Sequence, residues 1–261
     1  TKIFMNTFDH NSGKHLSIDD AKIYYEVIGS EGKPVLLFLH GGFGSIEDFN
    51  SIVDYLSKDY RIIGIDNRGH GKSTLGRLDL TYEQIQKDVE RVIEHLNVDK
   101  LNVIGFSDGG IVGYRLASMT STPIEKLVTI GADWHVKYLE AVRDIFSGIT
   151  SESWRKKFPE TYELYQKVNP EPDFERFTKS NINMWTDTSS SGLPNERVRN
   201  ISCPTLIVRG DDDHLVSKQS MFELSEVIKG ARLLNIPFAG HVAFEEQKEI
   251  FITSVIEFLK K

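Results

Sequence analysis

Ser107 is the residue whose surroundings most nearly demand chemistry. It stands in Gly105-Phe106-Ser107-Asp108-Gly109, after the apolar run Leu101-Asn102-Val103-Ile104 and before a helix-like stretch over residues 110–117. Strand, Gly-x-Ser-x-Gly, helix is the pattern of a nucleophile elbow. Its turn is so sharp that the serine sits in strained backbone geometry, and the flanking glycines leave room for it. The hydroxyl then stands at the carboxyl end of a strand, above a helix amino terminus whose free N–H groups and dipole favour an anion. Glycine and serine also gather in ordinary turns, so the pentapeptide acquires meaning from its context.

A serine hydroxyl is a poor nucleophile and needs a general base within hydrogen-bond reach, itself oriented by a carboxylate. With an elbow of this type the chain order is serine, acid, histidine. The histidines downstream of Ser107 are His135, His214 and His241. His241 ends Pro237-Phe238-Ala239-Gly240-His241, between the last strand-like run and the last helix-like one, so its loop reaches the same sheet edge as the elbow. It is the expected base. The acid is expected from Gly210-Asp211-Asp212-Asp213-His214; spacing alone does not choose among the three, and Asp133 is a fourth candidate. An oxyanion needs two N–H donors, one following the nucleophile and one from an early strand-to-helix loop. Asp108 supplies the first. His40-Gly41-Gly42-Phe43-Gly44 supplies the second, with the Gly42 N–H preferred and the Phe43 N–H next. His40 itself, at a strand end before two glycines, is expected to brace that loop. Three acids beside a histidine could instead suggest a metal site, but no matching ligand spacing occurs elsewhere and no metal is expected.

The elements that must position these residues are legible as apolar runs at 35–40, 61–66, 101–104, 127–130, 205–208 and 231–236. Unbroken apolar strands imply a sheet covered on both faces. An alternating pair at 14–18 and 22–28 reads as an edge hairpin, with Ile23, Tyr25 and Val27 on one side. Between the runs lie helical faces: Ile85, Val89, Val92, Ile93 and Leu96 after a capping Thr81, and Ile250, Phe251, Val255, Phe258 and Leu259 at the end. The expected fold is α/β, a mostly parallel, doubly wound eight-stranded sheet. Residues 133–195 break the rhythm with aromatic-rich helical patches punctuated by prolines. They are expected as a helical lid inserted after the sixth strand, over a core of residues 1–132 and 196–261. Trp134, Phe146 and Trp185 are its expected substrate-binding residues.

The bulk numbers exclude several classes of protein. At 261 residues the chain can bury roughly 70–75% of its unfolded surface in one large domain. A formal charge of −7 and the lack of a basic tract argue against nucleic acid and anionic membranes as partners. No apolar run approaches the roughly 18–20 residues of a membrane span. The segment Thr1-Lys2-Ile3-Phe4-Met5-Asn6-Thr7 lacks the shape of a secretory signal. The single Cys203 permits no intrachain disulfide, so the expected location is cytoplasmic and the expected partner a small-molecule substrate.

Beyond the elbow, three motifs carry a family resemblance. His40-Gly41-Gly42 resembles the oxyanion motif of the α/β-hydrolases. Asp66-Asn67-Arg68-Gly69-His70-Gly71-Lys72-Ser73 resembles their Asp-x-Arg-Gly-His-Gly-x-Ser turn, which is structural. Pro204 to Asp213 resembles their acid-bearing strand and turn. The chain thus resembles an α/β-hydrolase of the lidded serine-esterase type over nearly its whole length. In that motif the acid stands three residues after the glycine, which points to Asp213; His214 replaces the proline that often follows. Ser107 in the nucleophile position argues against dehalogenase and epoxide hydrolase chemistry. What the resemblance implies is a cofactor-free serine hydrolase acting on a small, largely apolar ester or related carbonyl compound. The alternatives are a ligand-binding or signalling protein with slow hydrolysis, and C–C hydrolase, lyase or perhydrolase chemistry. The Ser-Asp-Gly-Gly elbow is similar to that of the biphenyl-hydrolase-like esterases, and a carboxylate at Asp108 could favour a cationic group on the substrate.

Overall fold

The computed structural model describes residues 6–261, so the amino-terminal segment read above lies largely outside the described residues. β1 (Lys14–Ile18) and β2 (Ala21–Ile28) form the antiparallel edge hairpin. β3 (Val35–Leu39), α1 (Asn50–Ser57), β4 (Arg61–Ile65), α2 (Tyr82–His95), β5 (Leu101–Phe106), α3 (Asp108–Met119) and β6 (Ile124–Ile130) then alternate. Four helices follow: α4 (Arg143–Ser147), α5 (Ser151–Lys157), α6 (Pro159–Val168) and α7 (Phe174–Trp185). The chain re-enters the sheet with β7 (Thr205–Gly210), α8 (Lys218–Val227) and β8 (Arg232–Ile236), and ends with α9 (Ala243–Glu246) and α10 (Lys248–Lys260).

The eight strands run in the order β1-β2-β4-β3-β5-β6-β7-β8. β2 meets β4 antiparallel, and every pairing from β4 across to β8 is parallel. Parallel strands need crossovers, and these lay helices on both faces. Side chains alternate along each strand, so Leu37 and Leu39 of β3 join the layer holding Ile85, Val89, Val112 and Leu224. Leu36 and Phe38 join the opposite layer, with Ile52, Phe251 and Val255. This is why the strand sequences are apolar throughout rather than alternating. A separate aromatic cluster above the sheet edge unites Phe43 with Tyr165, Phe174 and Phe177 of the four-helix segment.

The turn after β4 joins the early loops together. The Asp66 carboxylate accepts the backbone N–H groups of Ile46 (3.0 Å) and Lys72 (2.8 Å). His10 bridges it to Glu47, with Nε2 2.7 Å from Asp66 and Nδ1 2.5 Å from Glu47. Burial opposes charge on His10, but the two carboxylates prevail and raise its pKa to about 10. Arg68, fully buried, makes two 2.8 Å bonds to Asp88 of α2, the planar fork geometry that suits a guanidinium. Thr81 caps α2 by accepting the Gln84 N–H at 2.9 Å. No helix among the described residues is long and apolar enough to cross a membrane.

Candidate active site

At Ser107 the backbone takes φ 51° and ψ −116°, a sparsely populated region for a residue with a Cβ. The strain persists because the surroundings fix it. The Ser107 N–H donates to Ile130 O (2.8 Å), and its carbonyl accepts from Gly110 (2.8 Å) and Ile111 (3.1 Å). Glycine is required on both sides of it. A Cβ on Gly105 would lie 2.3 Å from the Gly109 carbonyl oxygen, and one on Gly109 2.0 Å from that of Leu39.

The Ser107 Oγ lies 3.1 Å from His241 Nε2, and His241 Nδ1 lies 2.9 Å from Asp213 Oδ2. This geometry fits one tautomer: Nδ1–H donates to the carboxylate and Nε2 accepts the serine proton. The loops after β7 and β8 are laced together, since Asp211 N–H donates to Ile236 O (2.7 Å) and Asp212 N–H to Ala239 O (2.8 Å). Burial pushes the Asp213 carboxyl up in pKa. The His241 bond and the N–H groups of Leu215 (2.9 Å) and Val216 (3.2 Å) outweigh it, holding the group below the usual carboxylate range. Of the other acid candidates, Asp211 pairs with Lys218 at 2.9 Å and accepts from Asn235. Asp212 is exposed. Asp133 accepts the Ser220 hydroxyl and, through burial, has its pKa raised to about 6. Among the described residues, no group of three or more His, Cys, Asp or Glu is arranged to hold a metal ion.

The loop after β3 comes up beside the nucleophile. Among the described residues, the N–H groups of Gly42, Phe43 and Asp108 donate to no protein acceptor. A Cβ on the neighbouring Gly41 would lie 3.2 Å from the Ser107 Cβ, so loop and elbow are in near contact. Phe43 takes φ 61°, which turns the chain while its ring enters the aromatic cluster, stacked on Trp154 with centroids 4.1 Å apart. His40 is fully buried. Its Nδ1–H donates to Gly41 O (2.7 Å) and its Nε2 accepts the Asn67 N–H (2.9 Å), while burial lowers its pKa and keeps it neutral. It braces the loop and makes no bond to Ser107.

Above these groups opens a cavity of about 590 Å³. Its floor includes Gly42, Ser107, Asp108 and His241; its walls come from the four helices after β6, through Val142, Phe146, Trp154, Phe158 and Trp185. Phe146 and Trp185 line this cavity. Trp134 does not. It was expected among the substrate-binding residues, yet its ring is fully buried in the core layer beside α8, its indole N–H donating to Ser220 O at 3.1 Å. The neighbouring Asp133 takes the cavity side instead. The Asp108 carboxylate, expected as a site for a substrate cation, already accepts twice: from Tyr82 Oη (2.7 Å) and from Trp185 Nε1 (2.9 Å). Tyr82 escaped the sequence reading because its partner is twenty-six residues away; the available signal is a buried tyrosine opening a helix, whose hydroxyl needs an acceptor.

The comparisons agree with this architecture. A family model described as the alpha/beta hydrolase fold matches residues 34–161. A Haemophilus influenzae protein provisionally named an esterase/lipase is 26% identical, covering 100% of this chain and 96% of that protein. Serine hydrolase BPHL of Homo sapiens is 28% identical, over 87% of this chain and 79% of its own length. The crystal structure of the enol-lactonase from Burkholderia xenovorans LB400 superposes with a TM-score of 0.75 at 22% identity, covering 95% of this chain and 100% of that one. At that identity the likeness concerns the fold.

Proposed function

Because the chain belongs to the α/β-hydrolase fold family, we propose that it is a serine hydrolase cleaving a small, largely apolar carboxylic ester. The observation that carries this reading is the unbroken hydrogen-bonded series Ser107–His241–Asp213 at the floor of an apolar cavity. In the proposed reaction Ser107 Oγ attacks the ester carbonyl carbon as its proton passes to His241 Nε2. The carbonyl oxygen becomes an oxyanion held by the N–H of Asp108 and that of Gly42 or Phe43. Asp213 keeps the imidazole in its donor tautomer and stabilises the imidazolium. Collapse of the tetrahedral adduct expels the alkoxide, which takes the Nε2 proton and leaves as alcohol. A water then gives its proton to Nε2 and attacks the acyl-enzyme, releasing the acid and restoring Ser107.

Residues 133–195 serve as the lid in this reading, and their aromatic side chains exclude water and select the substrate. A cavity whose exposed lining is mostly apolar favours esters over charged substrates of similar size. The test is labelling by a fluorophosphonate, with the modified site mapped by mass spectrometry. Wild-type protein should be modified once, at Ser107, and turn over short-chain aryl esters repeatedly. His241→Ala should lose both properties. A well-folded wild type that resists labelling would overturn the reading and favour a binding protein on the same scaffold.

A further inference from the structure

Asp108 does two things with two different groups. Its backbone N–H is one of the two donors in the proposed reaction. Its side chain is 4% exposed, and no lysine or arginine pairs with it among the described residues. A buried carboxylate is costly unless hydrogen bonds satisfy it. Two donors converge on this one, Tyr82 Oη on Oδ1 and Trp185 Nε1 on Oδ2. An indole can only donate. An amide at position 108 could meet both partners only by accepting the indole N–H and donating to the Tyr82 oxygen, with no charge behind the bond to the indole. A carboxylate accepts both.

The two donors belong to different parts of the fold. Tyr82 opens α2, in the layer under the sheet, whereas Trp185 ends α7, the last helix before the chain returns to β7. α7 is also packed through Phe174 and Phe177 against Phe43 and Tyr165, its Met184 is buried in the core layer, and Arg176 reaches Gly76 O. At its carboxyl end Trp185 meets the cavity wall, with ring centroids 5.2 Å from Phe146 and 6.2 Å from Trp154. It also lies over the oxyanion loop, where a Cβ on Gly42 would stand 2.4 Å from its ring and 2.8 Å from Asp108 Oδ2. Carboxylate, indole and loop therefore form one contact.

We propose that the Asp108 side chain is a positioning residue that latches the end of helix α7 to the elbow through Trp185, and so sets the depth of the cavity above Ser107. The proposal rests on the serine-hydrolase reading of the same site. It differs from the expectation that this carboxylate receives a substrate cation, for here its two oxygens accept from the protein's own Tyr82 and Trp185. Asp108 acts on substrate through Trp185, and Trp185 acts through the wall it forms with Phe146 and Trp154.

The experiment uses Trp185→Phe, which keeps an aromatic ring and removes the indole N–H, together with Asp108→Ala, which removes the acceptor, and the double variant. Backbone amide exchange is followed by mass spectrometry alongside steady-state hydrolysis of aryl acetate and aryl hexanoate. A hydrogen bond to a charged acceptor corresponds to at least about a tenfold shift in an opening equilibrium. Trp185→Phe should therefore speed exchange in α7 about tenfold and leave β5 and β6 unchanged. Its KM for the hexanoate should rise about tenfold while kcat changes far less. The double variant should be no worse than the poorer single one, because both remove the same link. Unaltered α7 exchange and KM in Trp185→Phe would overturn the latch. So would an Asp108→Ala variant that loses a preference for amino-acid esters over neutral ones while α7 exchange stays at the wild-type rate. The exchange measurement needs no turnover, so it decides the latch even if Ser107 resists the fluorophosphonate and the hydrolase reading fails.

Discussion

Replacing Gly42 by alanine tests the oxyanion loop with a single methyl group. The new Cβ would stand 2.4 Å from Trp185 Cζ2 and 2.8 Å from Asp108 Oδ2. Carbon atoms in contact prefer about 3.5–4.0 Å, so something must move by roughly 1 Å. Gly42 is absent from the positive-φ glycines, which leaves crowding rather than backbone strain as the cost. There are two ways to relieve it. If the loop retreats, its N–H leaves the oxyanion, and losing one such donor lowers kcat by roughly 10²–10³. If Trp185 retreats instead, its bond to Asp108 breaks and the cavity wall moves with it, which raises KM. Either way the overpacking costs about 1–3 kcal/mol of stability, a fall of several degrees in Tm for a chain of this size. The assay is steady-state hydrolysis of an aryl acetate, with active sites counted by fluorophosphonate and Tm measured by calorimetry. A Gly42→Ala enzyme with kcat and KM within about threefold of wild type and an unchanged Tm would refute the placement of this loop against the elbow.

Two further predictions concern carboxylates and the histidine they surround. Asp213→Asn should lower kcat by on the order of 10⁴, because the amide no longer holds His241 with Nε2 free to accept; Asp133→Asn should cost far less, and the reverse order would make Asp133 the acid. His10, with its pKa raised to about 10 from an ordinary 6.5, is protonated in the folded chain over a wider range than in the unfolded one. Its contribution to stability is thus full below about pH 6.5, declines as pH rises and is lost on passing about pH 10, with a span on the order of 3–5 kcal/mol. Urea denaturation from pH 6 to 10 should show the wild type losing this advantage relative to His10→Gln, and parallel curves for the two proteins would refute the assignment.

The candidate site residues legible in the sequence are those placed by a strand end. Ser107, His241 and the acid run each sit where an apolar run stops, and parallel strands deliver all such ends to one edge of the sheet. The choice of Asp213 over its neighbours needed more than spacing. The motif resemblance points to it, and in the structure it is the carboxylate beside His241, while Asp211 turns outward to Lys218 and Asn235. Trp134 shows where reading by composition fails. An aromatic residue beside a cavity can face either way, and this one gained full burial and a partner for its indole N–H by facing the core. The latch was invisible for a related reason. Asp108, Tyr82 and Trp185 come from three separate segments, and no local pattern in any of them announces the other two.

The residues around the site that take no part in the proposed chemistry explain why the donors can be preorganised. The oxyanion loop is held from below by His40, which is neutral because it is buried, and which joins Gly41 to the turn at Asn67. That turn is fixed in its own right by Asp66, by Ser73 donating to the Asp66 carbonyl at 2.7 Å, and by the Arg68–Asp88 pair. From above, the loop meets Trp185, which Asp108 holds. Donors that are already in place cost no reorganisation when charge develops, and that is the main source of their effect. The floor of the site is therefore defined by strands and buried ion pairs, while the roof is defined by aromatic rings, the Trp185 indole bond and the buried Asn169 amide, which donates to the carbonyls of Gly69, Gly71 and Ser73. In the proposed reaction, substitutions at the floor should change kcat for every ester alike, and substitutions in α4 to α7 should change which ester is preferred.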